Sequence, residues 1–544
     1  MPPPQWRAEG QLLSYFGLTG LIAWAGNTEH FGWDELDRNQ DASTWKDQHA
    51  LHQRANPVPL ERVMKMGWKA VTPLIVWLVI FLAPIPVGLN PNQWHYFAIF
   101  AAAITGLILE SMPAGAVGLI ALTFAGIMGY VDPDPNKSLR WVLSGFSEST
   151  VWLIVGAFVF SIGYRKSGLG KRIALLLVRA LGRRTLGLGY AITLADLVLA
   201  PATPSNTARS GGTIFPIISN IPRIYASEPG PTAGKIGTYV MWTAFAATAV
   251  TSSLFLTALA PNGAALAIAK KTVGVEVAWV QWFVGFAPLG ILLIVVVPLL
   301  SYLVCRPEVK QSPEIPAWAA GELKAMGPLS RNEWMMLGLV LIAMFLWITG
   351  SNPSIALPYL GKNYINPTMV VFVIVSLLLL TGVVDFADII SEKSAWEVFF
   401  YFATLLTLAS GLNEIGFIKW VAVGFAKPLS SMSPTLAMIL LVTLFFWIHY
   451  FFSSITAHTA AVLPVVLAVG TGITGMSVST LTLLCVYSLG LMGVISPYAT
   501  GPAPMYFGSG YIGKGEFWKL GLIFGLIYFA GLIAVVLPWL QAIH

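Results

Sequence analysis

Two seven-residue stretches decide how this chain reads: Pro204-Ser205-Asn206-Thr207-Ala208-Arg209-Ser210 and, 249 positions later, Ser453-Ser454-Ile455-Thr456-Ala457-His458-Thr459. Each interrupts a long apolar segment, 188–222 and 434–471, and each is followed by a proline, Pro216 and Pro464. Broken backbone at membrane depth is tolerated only where it faces protein or water, because hydrocarbon offers no partner to an unpaired N–H or C=O. Both segments are therefore expected to be re-entrant hairpins, two half-helices joined at a polar tip. The likeness extends outward. Ser167-Gly168-Leu169-Gly170-Lys171 answers Ile415-Gly416-Phe417-Ile418-Lys419, and Ala260-Pro261-Asn262-Gly263 answers Gly501-Pro502-Ala503-Pro504. The chain is internally repeated.

The remaining apolar runs place crossings near 70–87, 94–109, 115–130, 150–164, 237–269, 282–304, 333–350, 367–384, 396–412, 478–512 and 517–541. The expected fold is thus an all-α polytopic membrane protein of about 11 transmembrane helices: one N-terminal helix, then two five-helix repeats, each with its hairpin. The first repeat occupies 69–310 with hairpin 188–222, a cytoplasmic linker 311–331, and the second repeat 332–544 with hairpin 434–471. Five crossings is an odd number, so the repeats must be inverted. Charge agrees with that arrangement. The loop after the fourth helix carries Arg165, Lys166, Lys171, Arg172, Arg179, Arg183 and Arg184, whereas its counterpart 413–433 has only Lys419 and Lys427. An excess of basic residues marks the cytoplasmic side.

Residues 1–68 differ from the rest, forming a polar extension in which only Leu12–Gly26 is apolar, and Met64 or Met66 is the expected true start. Composition narrows the function. With 56% hydrophobic and 10% charged residues and a mean hydropathy of +0.73, the chain is far from an ordinary soluble protein, which carries about 25% charged residues. Soluble enzymes, nucleic-acid binders and disordered scaffolds are excluded, and the bilayer is the expected partner. The net charge of +6 suits basic loops on one membrane face. Cys305 and Cys485 form no metal or disulfide framework.

Paired broken segments in inverted repeats point to a secondary transporter with its site near the midplane. A half-helix that starts inside the membrane presents unpaired N–H groups and the positive end of its dipole. Ser205, Asn206 and Thr207 from one tip, with Ser454 and Thr456 from the other, add donors for an anion or oxygens for a small cation. The plainer reading is that these hydroxyls cap half-helices. Other residues carry less: His449 reads as packing, Glu148-Ser149 as a helix start, and Lys270-Lys271 as a solvated helix end. Segment 165–184 is expected along the cytoplasmic interface with its basic face toward headgroups.

These residues also carry a family resemblance. Ser205-Asn206-Thr207 resembles the first Ser-Asn-Thr signature of the divalent anion:sodium symporter family. Asp196–Arg209 and Tyr498–Gly510 resemble the branch of citrate/succinate and tartrate/succinate antiporters and plastid 2-oxoglutarate/malate translocators. The resemblance covers about 70–544. It implies that the hairpin tips bind substrate carboxylates together with breaks in the two following helices, at Thr257, Pro261 and Asn262 and at Thr500, Gly501 and Pro502. It further implies a homodimer with a scaffold and an elevator-like moving part, carrying small di- or tricarboxylates across a bacterial inner (cytoplasmic) membrane. No cofactor is expected.

One departure matters. The second motif reads Ser454-Ile455-Thr456, without the asparagine of sodium-coupled members, so one sodium site at the hairpin tips loses an oxygen ligand. Three positions past each Asn or Ile stand Arg209 and His458. Both are candidates to replace coupling sodium ions as fixed charge beside a dianion. That would favour sodium-independent exchange over sodium symport, because an empty carrier would have to move an unpaired cation. Asp196 offers the alternative of a structural ion pair that cancels Arg209, and His458 that of a neutral packed histidine. A small-anion channel and an integral-membrane enzyme are the competing classes. The first would be expected to repeat around an oligomer axis, and no His-Glu-x-x-His motif supports the second.

Overall fold

The computed structural model describes residues 60–350, 366–429 and 431–543. The polar extension up to residue 59, with its Leu12–Gly26 run, lies outside them. The chain divides into two compact units, Met1–Val71 and Thr72–His544. The described part of the first is helical.

Among the described residues the fold is helical, with one isolated β-bridge between Arg184 and Gln311. Seven helices among the described residues are long and apolar enough to cross a membrane, including Trp279–Cys305, Arg331–Gly350, Lys393–Glu414 and Lys514–Ile543. Two of the expected crossings are not continuous. The run 237–269 divides into Gly237–Leu254, a 3-10 turn Leu256–Ala258, and Ala260–Val273. The run 478–512 divides into Val478–Leu491, Met492–Val494 and Ala503–Gly508. Proline explains where each helix resumes: Pro261 and Pro504 sit in first turns, where a missing N–H costs nothing. Phe255 and Leu259 are extended on either side of the first break.

Two helical arms match in length and spacing. Helical arms Thr185–Ala202 and Pro434–Phe451 are both 18 residues long and begin and end 249 positions apart. Each is preceded by a sharp helix–helix corner at a glycine, Gly168 (φ 78°) and Gly416 (φ 80°). Only glycine adopts that backbone without a steric penalty.

Apolar side chains on all faces of a helix call for burial on all faces. Gly237–Leu254 is buried at every residue, and Val478–Leu491 from Thr480 onward. These two pack together. The buried aromatic rings around them use their polar ends: Trp282 Nε1 donates to Ser253 O (2.9 Å), Tyr487 OH to Trp282 O (3.1 Å) and Tyr528 OH to Ala246 O (2.9 Å). On the outside, Leu82, Ile127 and Leu380 stand exposed, as a lipid-facing surface requires.

Four of the seven basic side chains in the loop 165–184 bind protein carboxylates rather than standing open to headgroups. Arg165 pairs with Glu392, Lys166 with Asp385 (3.2 Å) and Asp388 (2.6 Å), and Lys171 with Glu322 (3.1 Å). The neighbouring Lys166 ammonium holds the Asp388 carboxyl below the usual carboxylate range. Arg172 is buried, with Nε 2.5 Å from Glu333 and Nη1 3.0 Å from Gly327 O. This last pair anchors the helix Leu169–Leu181 to the start of Arg331–Gly350.

Candidate functional site

The first hairpin's leading helix ends at Leu199, tightens into a 3-10 turn Ala200–Ala202, and passes through an extended Thr203. The chain resumes at Thr207 as a wide π-helical turn to Ile214. Ser205 Oγ accepts from Ala208 N (3.1 Å) and so caps the new helix. This tip is docked on the first helix break. Pro204 O accepts from Ala260 N (2.7 Å), and the Thr257 hydroxyl donates to Pro201 O.

Arg209 completes the docking. Its Nη1 donates to Thr203 O on the tip and to Ala258 O on the break, both at 2.8 Å. Nη2 reaches the hydroxyls of Ser252 (3.0 Å) and Thr251 (3.3 Å), and Nε pairs with Asp196 at 3.2 Å. Helix breaks leave carbonyls without partners, and a planar fork of five N–H donors can satisfy several at once. Arg209 is 1% and Asp196 2% exposed. The guanidinium is thus a staple within the protein and not an open cation, and the ion-pair reading of Asp196–Arg209 describes the geometry.

The second hairpin solves the same problem without charge. Phe452 is extended as Thr203 is, and Ser454 Oγ accepts from Ala457 N (3.3 Å). His449 reads as more than packing. Its Nε2 lies 2.8 Å from Ala499 O and, a carbonyl being an acceptor only, carries the proton. His458 is fully buried among Phe445, Phe452 and His449, with ring centroids at 4.5, 5.1 and 5.0 Å. Phe445 stands 249 positions after Asp196, the same offset that separates His458 from Arg209. An aromatic edge contact occupies the place of the ion pair, and neither His458 ring nitrogen has a hydrogen-bond partner among the described residues.

The first tip then meets the second break. Asn206 Nδ2 donates to Thr500 Oγ1 (2.7 Å), joining residues 294 positions apart. Gly501 lies so close to Thr207 that a Cβ there would fall 1.9 Å from Thr207 Oγ1. Ser210 and Tyr506 share a hydrogen bond of 2.8 Å across the same junction. From the other side, a Cβ on Gly493 would lie 3.2 Å from Thr500 Cβ and 3.4 Å from Ile455 Cδ1, so the second tip reaches the cluster through Ile455.

Ser205, Asn206, Thr207, Thr257, Asn262, Thr500 and Gly501 are therefore assembled around the tip and the two breaks. Asn262 closes the first break by donating to Ser252 O (2.8 Å) and Phe255 O (3.3 Å). Pro261 and Pro502 act at helix starts. Thr456 instead lines a narrow cleft with Thr150, Ala264, Phe402 and Thr459. Tyr506, Thr251 and Ser252 were not singled out from sequence, since isolated hydroxyls in apolar helices carry no spacing signal. Chemically the cluster offers amide and hydroxyl donors, Thr207 exposed and Asn206 buried, at helix termini of favourable dipole. That suits carboxylate binding.

Broken helices meeting polar hairpin tips inside a helical membrane protein define a membrane transporter. The chain belongs to the family described as the sodium:sulfate symporter transmembrane region, whose model matches residues 64–543. It is 46% identical over 484 residues to the citrate/succinate antiporter of Escherichia coli (strain K12), covering 87% of this chain and 97% of that one. It is 42% identical over 489 residues to the L-tartrate/succinate antiporter of Shigella sonnei (strain Ss046), covering 88% and 98%. The fold is shared with the crystal structure of the Alcanivorax borkumensis YdaH transporter, at TM-score 0.52 and 16% identity over 75% of this chain and 89% of that one.

Proposed function

We propose that this protein exchanges di- and tricarboxylates of the citrate, succinate and tartrate class across the bacterial inner membrane, without sodium. The observation that carries the proposal is the Asn206–Thr500 junction, where the tip of one repeat supplies an amide to the broken helix of the other. The antiporter relatives support the substrate class. In this reading the two repeats are inverted, the hairpins enter from opposite leaflets, and their tips with Thr500–Pro502 grip the substrate carboxylates. The hairpins and broken helices move as one body against the remaining helices, within a homodimer.

Independence from sodium is supported by the second tip. Ile455 stands where sodium-coupled members carry an asparagine, is buried against Gly493, and offers no side-chain oxygen. Asp196 cancels the charge of Arg209 and His458 is packed among aromatic rings, so in this reading hydrogen-bond donors and helix dipoles at the tips, and not fixed cations, hold the dianion. A sodium symporter is the second reading, favoured by one observation: Asn262 Oδ1 is buried beside the first break with no hydrogen-bond partner among the described residues.

Purified protein in vesicles loaded with succinate is expected to take up labelled citrate rapidly, at a rate unchanged when external sodium is replaced by choline. Equal uptake into unloaded vesicles would overturn exchange. Strong stimulation by sodium would select the symporter.

A further inference from the structure

Exchange demands that the empty carrier return slowly, and with Arg209 neutralised by Asp196 that barrier needs another source. Glu110 supplies one. The helix Pro91–Ile108 ends in a Schellman turn: Ser111 N donates to Gly106 O (3.0 Å) and Glu110 N to Leu107 O (3.3 Å). The turn places Glu110 at φ 51°, the left-handed position that glycine normally fills. A carboxylate is also the wrong charge for a helix C-terminus. No ion pair among the described residues relieves it. Two local penalties thus fall on one exposed side chain, and its carboxylate does something specific. Glu110 Oε1 accepts a hydrogen bond from Ser453 Oγ (2.9 Å), at the tip of the second hairpin and next to the capping Ser454.

We propose that Glu110 is a coupling residue: its carboxylate imitates a substrate carboxylate and latches the second hairpin tip when the carrier is empty. This rests on the exchange reading above. The chemistry follows from likeness. A bound dicarboxylate competes for the tip's hydroxyl donors and brings negative charge near Glu110, so loading weakens the latch that emptiness leaves intact. A ligand shifts a conformational equilibrium only through such a difference between states. Exchange then becomes obligatory because the empty tip is held by Glu110, with no need for a net charge buried in the moving body.

The test compares wild type, Glu110→Gln and Glu110→Gly in vesicles that are either loaded with succinate or empty. Glycine suits the left-handed turn and removes the carboxylate, while glutamine keeps an acceptor but loses the charge. Uptake of labelled succinate into empty vesicles is expected to rise in the order Glu, Gln, Gly. The glycine variant should gain about tenfold or more, the rate change for losing one hydrogen bond to a charged group. Its thermal midpoint should stay at or above wild type, which separates release of a latch from damage to the fold. Background uptake into empty vesicles by both variants, with exchange in loaded vesicles intact, would overturn the latch alone. A wild type that fails to exchange in loaded vesicles would overturn the exchange reading, and the latch with it.

Discussion

Arg209→Gln is expected to lose transport and about 3–5 kcal/mol of stability, the range for removing one partner of a buried ion pair. The loss arises twice. Asp196, 2% exposed, is left without its cationic partner, and the carbonyls of Thr203 and Ala258 lose the donor that holds tip to break. Lysine is not expected to rescue it, because a point ammonium lacks the planar fork that spans both carbonyls and the carboxylate. The second hairpin suggests a better replacement. It fills the corresponding positions with Phe445 and His458, so the double variant Asp196→Phe/Arg209→His is expected to melt above Arg209→Gln. Thermal unfolding of purified protein, read beside vesicle uptake, measures both effects. A fully stable Arg209→Gln protein would show that the staple holds nothing.

Gly501→Ala is expected to slow exchange by about fivefold to a hundredfold, since overpacking costs about 1–3 kcal/mol and each 1.4 kcal/mol is a factor of ten. The added methyl would sit 1.9 Å from Thr207 Oγ1 and 3.2 Å from Thr207 Cβ, so the first tip must withdraw from the second break. Asn206 and Thr500, bonded at 2.7 Å beside it, would separate. The cause is one atom and can be removed. Thr207→Ala in the same chain is expected to recover part of the lost rate. Thr207→Ser keeps the offending oxygen and is expected to recover none. A double variant no faster than Gly501→Ala alone would mean that the tip and the break do not meet in the working protein.

The large features of the fold are written in residue types that the bilayer constrains strongly. Apolar runs, the polar interruptions at 204–210 and 453–459, and Gly168 and Gly416 at the corners each follow from what hydrocarbon and sterics forbid. The candidate tips were legible for the same reason, and repetition at a fixed offset made the signal stronger. Partnership was harder to read. Nothing in the spacing says that Asn206 finds Thr500, or that His449 finds Ala499 O, because those contacts depend on how helices cross in space. Whether Arg209 and His458 stand open or packed turned on their burial, which a run of small and hydroxyl residues does not disclose. Glu110 was invisible: a lone acid at a helix end is ordinary, and only its backbone angle and its contact with Ser453 set it apart.

In the proposed function the repeats are inverted, and two tips from opposite leaflets share one site. With Cys305→Ser and Cys485→Ala as background, single cysteines at Arg183 and Lys419, both exposed, report the two segments that precede the hairpins. An impermeant maleimide applied to intact cells is expected to label Lys419→Cys at once and Arg183→Cys only after permeabilisation. Labelling of both from the same side would contradict the inverted arrangement.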